Sequence, residues 1–148
     1  MRQTEYLNGG QALTEMAASH LMERDVIYFE SDASCHDIAE VMVQRNFGDV
    51  PVTDRERRVI GIVTEYDLLN ALMKGADLKR IRAMEIMTRP PILISEEMAG
   101  EEIIALIQAR HLIRVPVVDS EGRLVGIVAR RDILAGYIES TFGPLPAF

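Results

Sequence analysis

VPVTDRERRVIGIVTEYDLLNAL, Val50 to Leu72, comes back as VPVVDSEGRLVGIVARRDILAGY, Val115 to Tyr137, with no gap at an offset of 65 positions. Self-similarity at a fixed period points to a repeated structural unit, so it constrains the architecture more than any local propensity. The same offset pairs Met22 with Met87, Ile27 with Ile92, Ile38 with Ile103 and Arg45 with Arg110. Two copies of one module therefore fill most of the chain.

Each copy is read by its hydrophobic period. Val26–Phe29 and Ile92–Ile94 are short β-rich runs. In the amphipathic segments after them, Ile38, Val41 and Met42 share a face in one copy, and Ile103, Leu106 and Ile107 in the other, at helical spacing. Ser34 with Asp37 marks a helix start. VPVTD and VPVVD read as strands, and DRER and DSEG as turns, the second with a glycine suited to positive φ. VIGIV and LVGIV, apolar on both faces, read as central strands. Helices begin near Tyr66 and Arg131, the first ending around Lys74 and Gly75. The expected unit is β-α-β-β-α, in an α/β fold.

The bulk numbers exclude several function classes. A chain of 148 residues with 48% apolar and 26% charged residues suits a compact domain with a real core. Its net charge of −7 repels polyanions, which argues against general nucleic-acid or anionic-membrane binding. No apolar run approaches the roughly 20 residues that span a bilayer, and MRQTEYLNGG lacks the features of a secretory signal. Cys35, the single cysteine, suits a reducing compartment, and the expected location is the cytoplasm. His20, His36 and His111 show no HExxH spacing, Cys35 has no CxxC partner, and neighbouring Cys35 and His36 do not face each other on a helix. With no Walker loop, GxSxG elbow or GxGxxG after a strand, a non-enzyme is expected.

The order short strand, helix, hPVvD, turn, GIVTxxDLL resembles the cystathionine β-synthase (CBS) domain, and the two copies together resemble the tandem CBS pair, or Bateman module. The resemblance covers roughly Ala17 to Ser140. It implies two pseudo-twofold-related motifs packed sheet to sheet, at 17–75 and 84–140. Residues 76–83 form a linker, residues 1–16 a partly helical N-terminal segment and residues 141–148 a tail. Physically, a three-stranded sheet with helices on one side leaves an apolar face for a twin to cover. The family's clefts between motifs bind adenosine compounds such as AMP, ADP, ATP or S-adenosylmethionine, acting as regulatory ligands rather than cofactors. Such modules relay ligand status to a partner, here an unknown regulated protein, and commonly form homodimers. Ala12 to Leu21, with Leu13, Met16, Ala17 and Leu21 on one face, either extends such an interface or caps the core.

Thr64 and Asp67 in GIVTEYD have two readings. One is a capping box, which needs no ligand. The other is a ribose site, because a carboxylate accepting two hydroxyl hydrogen bonds is what a 2′,3′-diol demands. In GIVARRD, Ala129 replaces the threonine while Asp132 stays, so Asp132 is a second ribose candidate and the Asp67 cleft ranks first. The twofold relation implies Thr88 and Ile92 as purine-pocket residues for Asp67, and Arg24 and Ile27 for Asp132. The structural reading of both isoleucines is plain core packing. Arg114, Arg130, Arg131 and His111 are phosphate candidates near the second cleft, or a solvated face. An interaction scaffold with degenerate clefts stands as the alternative function.

Overall fold

The structure, a computed structural model, describes residues 13–146. It forms two compact units, named here for their aspartates. The Asp67 unit comprises Ile27–Pro91 and Glu121–Leu124; the Asp132 unit gathers the described residues up to Val26, then Ile92–Ser120, and those from Val125 onward. Neither unit is one continuous repeat, because the start of each repeat is assigned with the body of the other.

In the Asp67 unit, β1 (Phe29–Glu30) leads to α2 (Cys35–Arg45), β2 (Asp49–Thr53), β3 (Val59–Thr64), α3 (Glu65–Met73) and the single turn α4 (Ala83–Ile86). The Asp132 unit repeats the pattern with α1 (Ala18–Leu21), β4 (Ile94–Ser95), α5 (Gly100–Arg110), β5 (Arg114–Val118), β6 (Leu124–Ala129) and α6 (Arg130–Phe142). Each sheet has three strands, in the orders β1-β2-β3 and β4-β5-β6. The expected α/β class and the β-α-β-β-α order are both found. β1 runs parallel to β2, and β2 antiparallel to β3 with Asp49 opposite Thr64.

Two details differ from the sequence reading. The first strand of each unit begins at Phe29 and Ile94, and neither Val26–Tyr28 nor Ile92–Leu93 pairs as a strand. The central strand is VPV, not GIV; the GIV strand lies at the sheet edge. It reads as doubly covered because its outer side is met by the segment preceding the first strand of the opposite repeat. In the Asp67 unit the Ile62 and Thr88 backbones exchange hydrogen bonds of 2.7 and 3.0 Å, and in the Asp132 unit Ile127 and Glu23 exchange bonds of 2.8 and 2.9 Å. This close approach requires glycine at the middle of each GIV strand. A Cβ on Gly61 would lie 2.5 Å from the Met87 sulfur, and one on Gly126 would clash with the Met22 sulfur.

Each unit has its own core. Ile38, Met42, Val50, Val52, Val63 and Leu68 are buried in one. Ile103, Ile107, Val115, Val117, Val128 and Ile133 are buried in the other, where Leu13, Met16, Leu21 and Met22 join them. The N-terminal segment thus caps a core; Ala12 lies outside the described residues, and a helix over the whole segment is ruled out by the bridge between Ala17 and Ala99. α2 and α5 both end in a left-handed residue, Asn46 (φ 57°) and His111 (φ 52°), which turns the chain back into the central strand.

Candidate ligand site at the strand–helix junctions

The apolar strand β3 ends at Thr64, where the chain turns into α3 without a loop. A helix entered this way exposes its first N–H groups, and nearby oxygens satisfy them. Asp67 N–H donates to Thr64 Oγ1 at 3.2 Å, and Thr64 N–H donates to Asp67 Oδ2 at 2.9 Å, which completes a capping box. The Thr88 hydroxyl lies 3.1 Å from each Asp67 carboxylate oxygen and donates to them. Thr88 is brought there by its backbone pairing with Ile62. The structure therefore places three sequence-selected residues, Thr64, Asp67 and Thr88, in one constellation. Asp67 is half-buried and Thr88 exposed. An ionised carboxylate has about four lone-pair positions. The Thr64 amide and the shared Thr88 hydroxyl use most of those on Oδ2 and leave capacity on Oδ1, which is what an incoming hydroxyl needs.

The second junction keeps the backbone and changes the side chains. Ala129 N–H donates to Asp132 Oδ2 at 2.9 Å, the counterpart of the Thr64 bond, while the reciprocal hydroxyl bond is lost with the threonine. The residue equivalent to Thr88 is Glu23, whose backbone pairs with Ile127 and whose Oε1 accepts from Asp25 N–H at 3.0 Å. Sequence reasoning selected the neighbouring Arg24 for this place; Arg24 is exposed, and its equivalent is Arg89. The signal that finds Glu23 is the offset of 65 applied to Thr88.

The remaining candidates separate by unit. Ile27 belongs to the Asp67 unit and Ile92 to the Asp132 unit, each half-buried, and Ile92 packs against the core of its unit. Arg114 opens β5 and is half-buried, while Arg130 and Arg131 are exposed in the first turn of α6. His111, exposed, closes α5 two residues before Ile113, whose carbonyl accepts from Arg130 N–H at 2.8 Å. All four phosphate candidates thus gather at one end of the Asp132 unit. Two residues that the sequence reading passed over, Asp49 and Glu65, occupy the matching places in the Asp67 unit, where Glu65 N–H donates to the Gly48 carbonyl at 3.0 Å.

Outside the junctions, Cys35 is buried at the start of α2, and desolvation, with the nearby Glu85 charge adding to it, pushes its thiol up to about 11. A thiol so raised is protonated at neutral pH and a poor nucleophile. His36, Asp37 and Glu40 present ligand atoms within 4.8 Å of one another on the exposed side of α2, and His36 Nε2 lies 3.0 Å from Glu40 Oε1. That i, i+4 arrangement is an ordinary helix-surface pair. Among the described residues, no helix is long and apolar enough to cross a membrane.

Comparison with known proteins gives the junctions a context. The sequence profile of the CBS domain matches twice, over residues 18–74 and 83–139. The chain is 32% identical over 117 residues to inosine-5'-monophosphate dehydrogenase of Methanocaldococcus jannaschii, covering 79% of this chain and 23% of that one. It spans less than two thirds of the length of the curated relatives it matches first. Among solved structures, CBSX2 in complex with AMP aligns with a TM-score of 0.72 and 25% identity, covering 83% of this chain and 96% of that one. The CBS domain pair of protein MJ0100, in complex with 5′-methylthioadenosine and S-adenosyl-L-methionine, aligns with a TM-score of 0.69 and 27% identity over 80% of this chain and 93% of that one. The two profile matches reproduce the repeat and span both junctions, and the chain belongs to the CBS domain family as a tandem pair.

Proposed function

We propose that the chain is a regulatory module, without catalysis of its own, that binds adenosine-containing ligands at its strand–helix junctions and passes ligand status to a partner protein. The observation that carries this reading is the retained aspartate. Asp132 keeps its 2.9 Å bond from the Ala129 amide although the hydroxyl half of the capping box is gone. A residue kept only for reciprocal capping loses much of its purpose with the threonine. A carboxylate kept for a ribose diol does not. The bound AMP of CBSX2, and the methylthioadenosine and S-adenosylmethionine of the MJ0100 pair, support adenosine as the shared part of the ligand.

In this reading Asp67 and Asp132 accept ribose hydroxyls, Thr64 and Thr88 hold the Asp67 carboxylate, and Ile27, Ile92 and Arg24 contribute to the purine surroundings. Arg114, Arg130, Arg131 and His111 serve phosphate. Removing Asp67 by Asp67→Ala deletes charge-assisted hydrogen bonds and weakens binding roughly 10- to 150-fold. Titration calorimetry with AMP and with 5′-methylthioadenosine checks this, and a folded variant that binds both as the parent does refutes the ribose role.

The completed capping box at Thr64 favours a second reading, an interaction scaffold that takes no ligand. A thermal-shift screen with AMP, ATP and S-adenosylmethionine separates the two, since a ligand that binds the folded state raises its melting temperature. The assembly proposed is a homodimer. Equivalent apolar side chains are exposed on α3 and α6, Leu69 with Leu134, Leu72 with Tyr137 and Met73 with Ile138, and a second copy of the chain would cover them. Light scattering that returned only the 16.6 kDa chain mass would contradict it.

A further inference from the structure

The two junctions share a backbone, so their side chains can be compared position by position. The central strand opens with Asp49, opposite Thr64, in one unit and with Arg114 in the other. The first helical residue is Glu65 in one and Arg130 in the other, each donating its N–H to the carbonyl just before the central strand, at 3.0 and 2.8 Å. The second helical residue is Tyr66 against Arg131, and the bridge residue is Thr88 against Glu23. At the Asp67 junction these four positions thus hold two further carboxylates, Asp49 and Glu65, and no guanidinium. At the same four positions around Asp132 stand three guanidiniums and one carboxylate, Glu23. The flanking Arg24 and Arg89 are common to both.

Equal helix N-termini and equal aspartates would accept the same ribose. The substituent beyond the ribose is selected by local charge, because a phosphate near carboxylates is repelled, whereas guanidinium forks match phosphate oxygens in geometry as well as sign. We propose that the two junctions sort adenosine compounds by charge. The Asp132 junction takes phosphorylated adenosine, and the Asp67 junction takes adenosine carrying no phosphate, as a thioether or sulfonium. The proposal rests on the adenosine reading above and specifies it.

The test is titration calorimetry of the full chain with AMP and, separately, with 5′-methylthioadenosine. Three variants are compared with the parent: Arg130→Glu with Arg131→Glu, Glu65→Arg, and Asp67→Asn. Acidic residues suit the first turn of a helix, so the double variant keeps α6 folded. The double variant should lose AMP affinity by roughly tenfold or more while methylthioadenosine binding stays within about threefold. Asp67→Asn should show the reverse pattern. Glu65→Arg should raise AMP stoichiometry from one toward two. Loss of both ligands in the same variant, competition between them for one site, or AMP binding indifferent to the double variant overturns the charge sorting while leaving the adenosine reading in place. A parent chain that binds neither compound overturns both.

Discussion

The Asp67 and Asp132 junctions are built on one backbone plan and differ in most of the side chains that a ligand would meet. Both have a strand running into a helix, a hydrogen bond of 2.9 Å donated by a backbone N–H to the aspartate, and an edge pairing from the segment that carries a buried methionine. Thr64 and Thr88 become Ala129 and Glu23, and Glu65 becomes Arg130. Packing and backbone hydrogen bonds fix the shared part. Positions that face outward around the carboxylate are released from that constraint, and there the copies have diverged in charge.

Substitutions at equivalent positions test how far this symmetry extends. The largest effect is expected in the cores, where Ile38 and Ile103 are both fully buried. Ile38→Ala and Ile103→Ala should each cost about 2–5 kcal/mol through lost burial and the cavity left behind. Denaturant unfolding that gave a severe loss for one and a negligible loss for the other would break the equivalence of the two units.

The next effect sharpens the difference at the junctions. Thr64→Ala imitates the Asp132 junction and should lower stability by roughly 0.5–2 kcal/mol, since it removes the hydroxyl that accepts the Asp67 amide at 3.2 Å. Ala129→Thr should move the other junction the opposite way, by completing the box around Asp132. Thermal unfolding of both variants checks the pair; a destabilising Ala129→Thr would show that the second junction has no room for the hydroxyl.

The smallest effect concerns the end of the central strand. Thr53 is fully buried, and its hydroxyl has no hydrogen-bond partner among the described residues. Its equivalent is Val118, of nearly the same shape. Thr53→Val should therefore stabilise the Asp67 unit by about 1 kcal/mol, as an unsatisfied buried hydroxyl gives way to a methyl group. A loss of stability in chemical denaturation would mean that the hydroxyl has a partner, such as a buried water.

The amino-acid sequence by itself determined the repeat, the α/β class, the order of elements and the aspartate at each junction. Hydrophobic period and the offset of 65 are local or one-dimensional properties, readable without coordinates. The helix start at Ser34, where the hydroxyl accepts from Asp37 N–H at 3.1 Å, was legible for the same reason. The tertiary structure alone decided which strand is central, because apolar runs on an edge strand covered by a neighbouring segment look like those of a central strand. It also decided that the start of each repeat belongs to the body of the other. Thr88 meets Asp67 and Glu23 takes the matching place near Asp132 only through pairings across 26 and 104 positions, Ile62 with Thr88 and Glu23 with Ile127. Such non-local pairings leave no period in the sequence, and they set what stands beside each carboxylate.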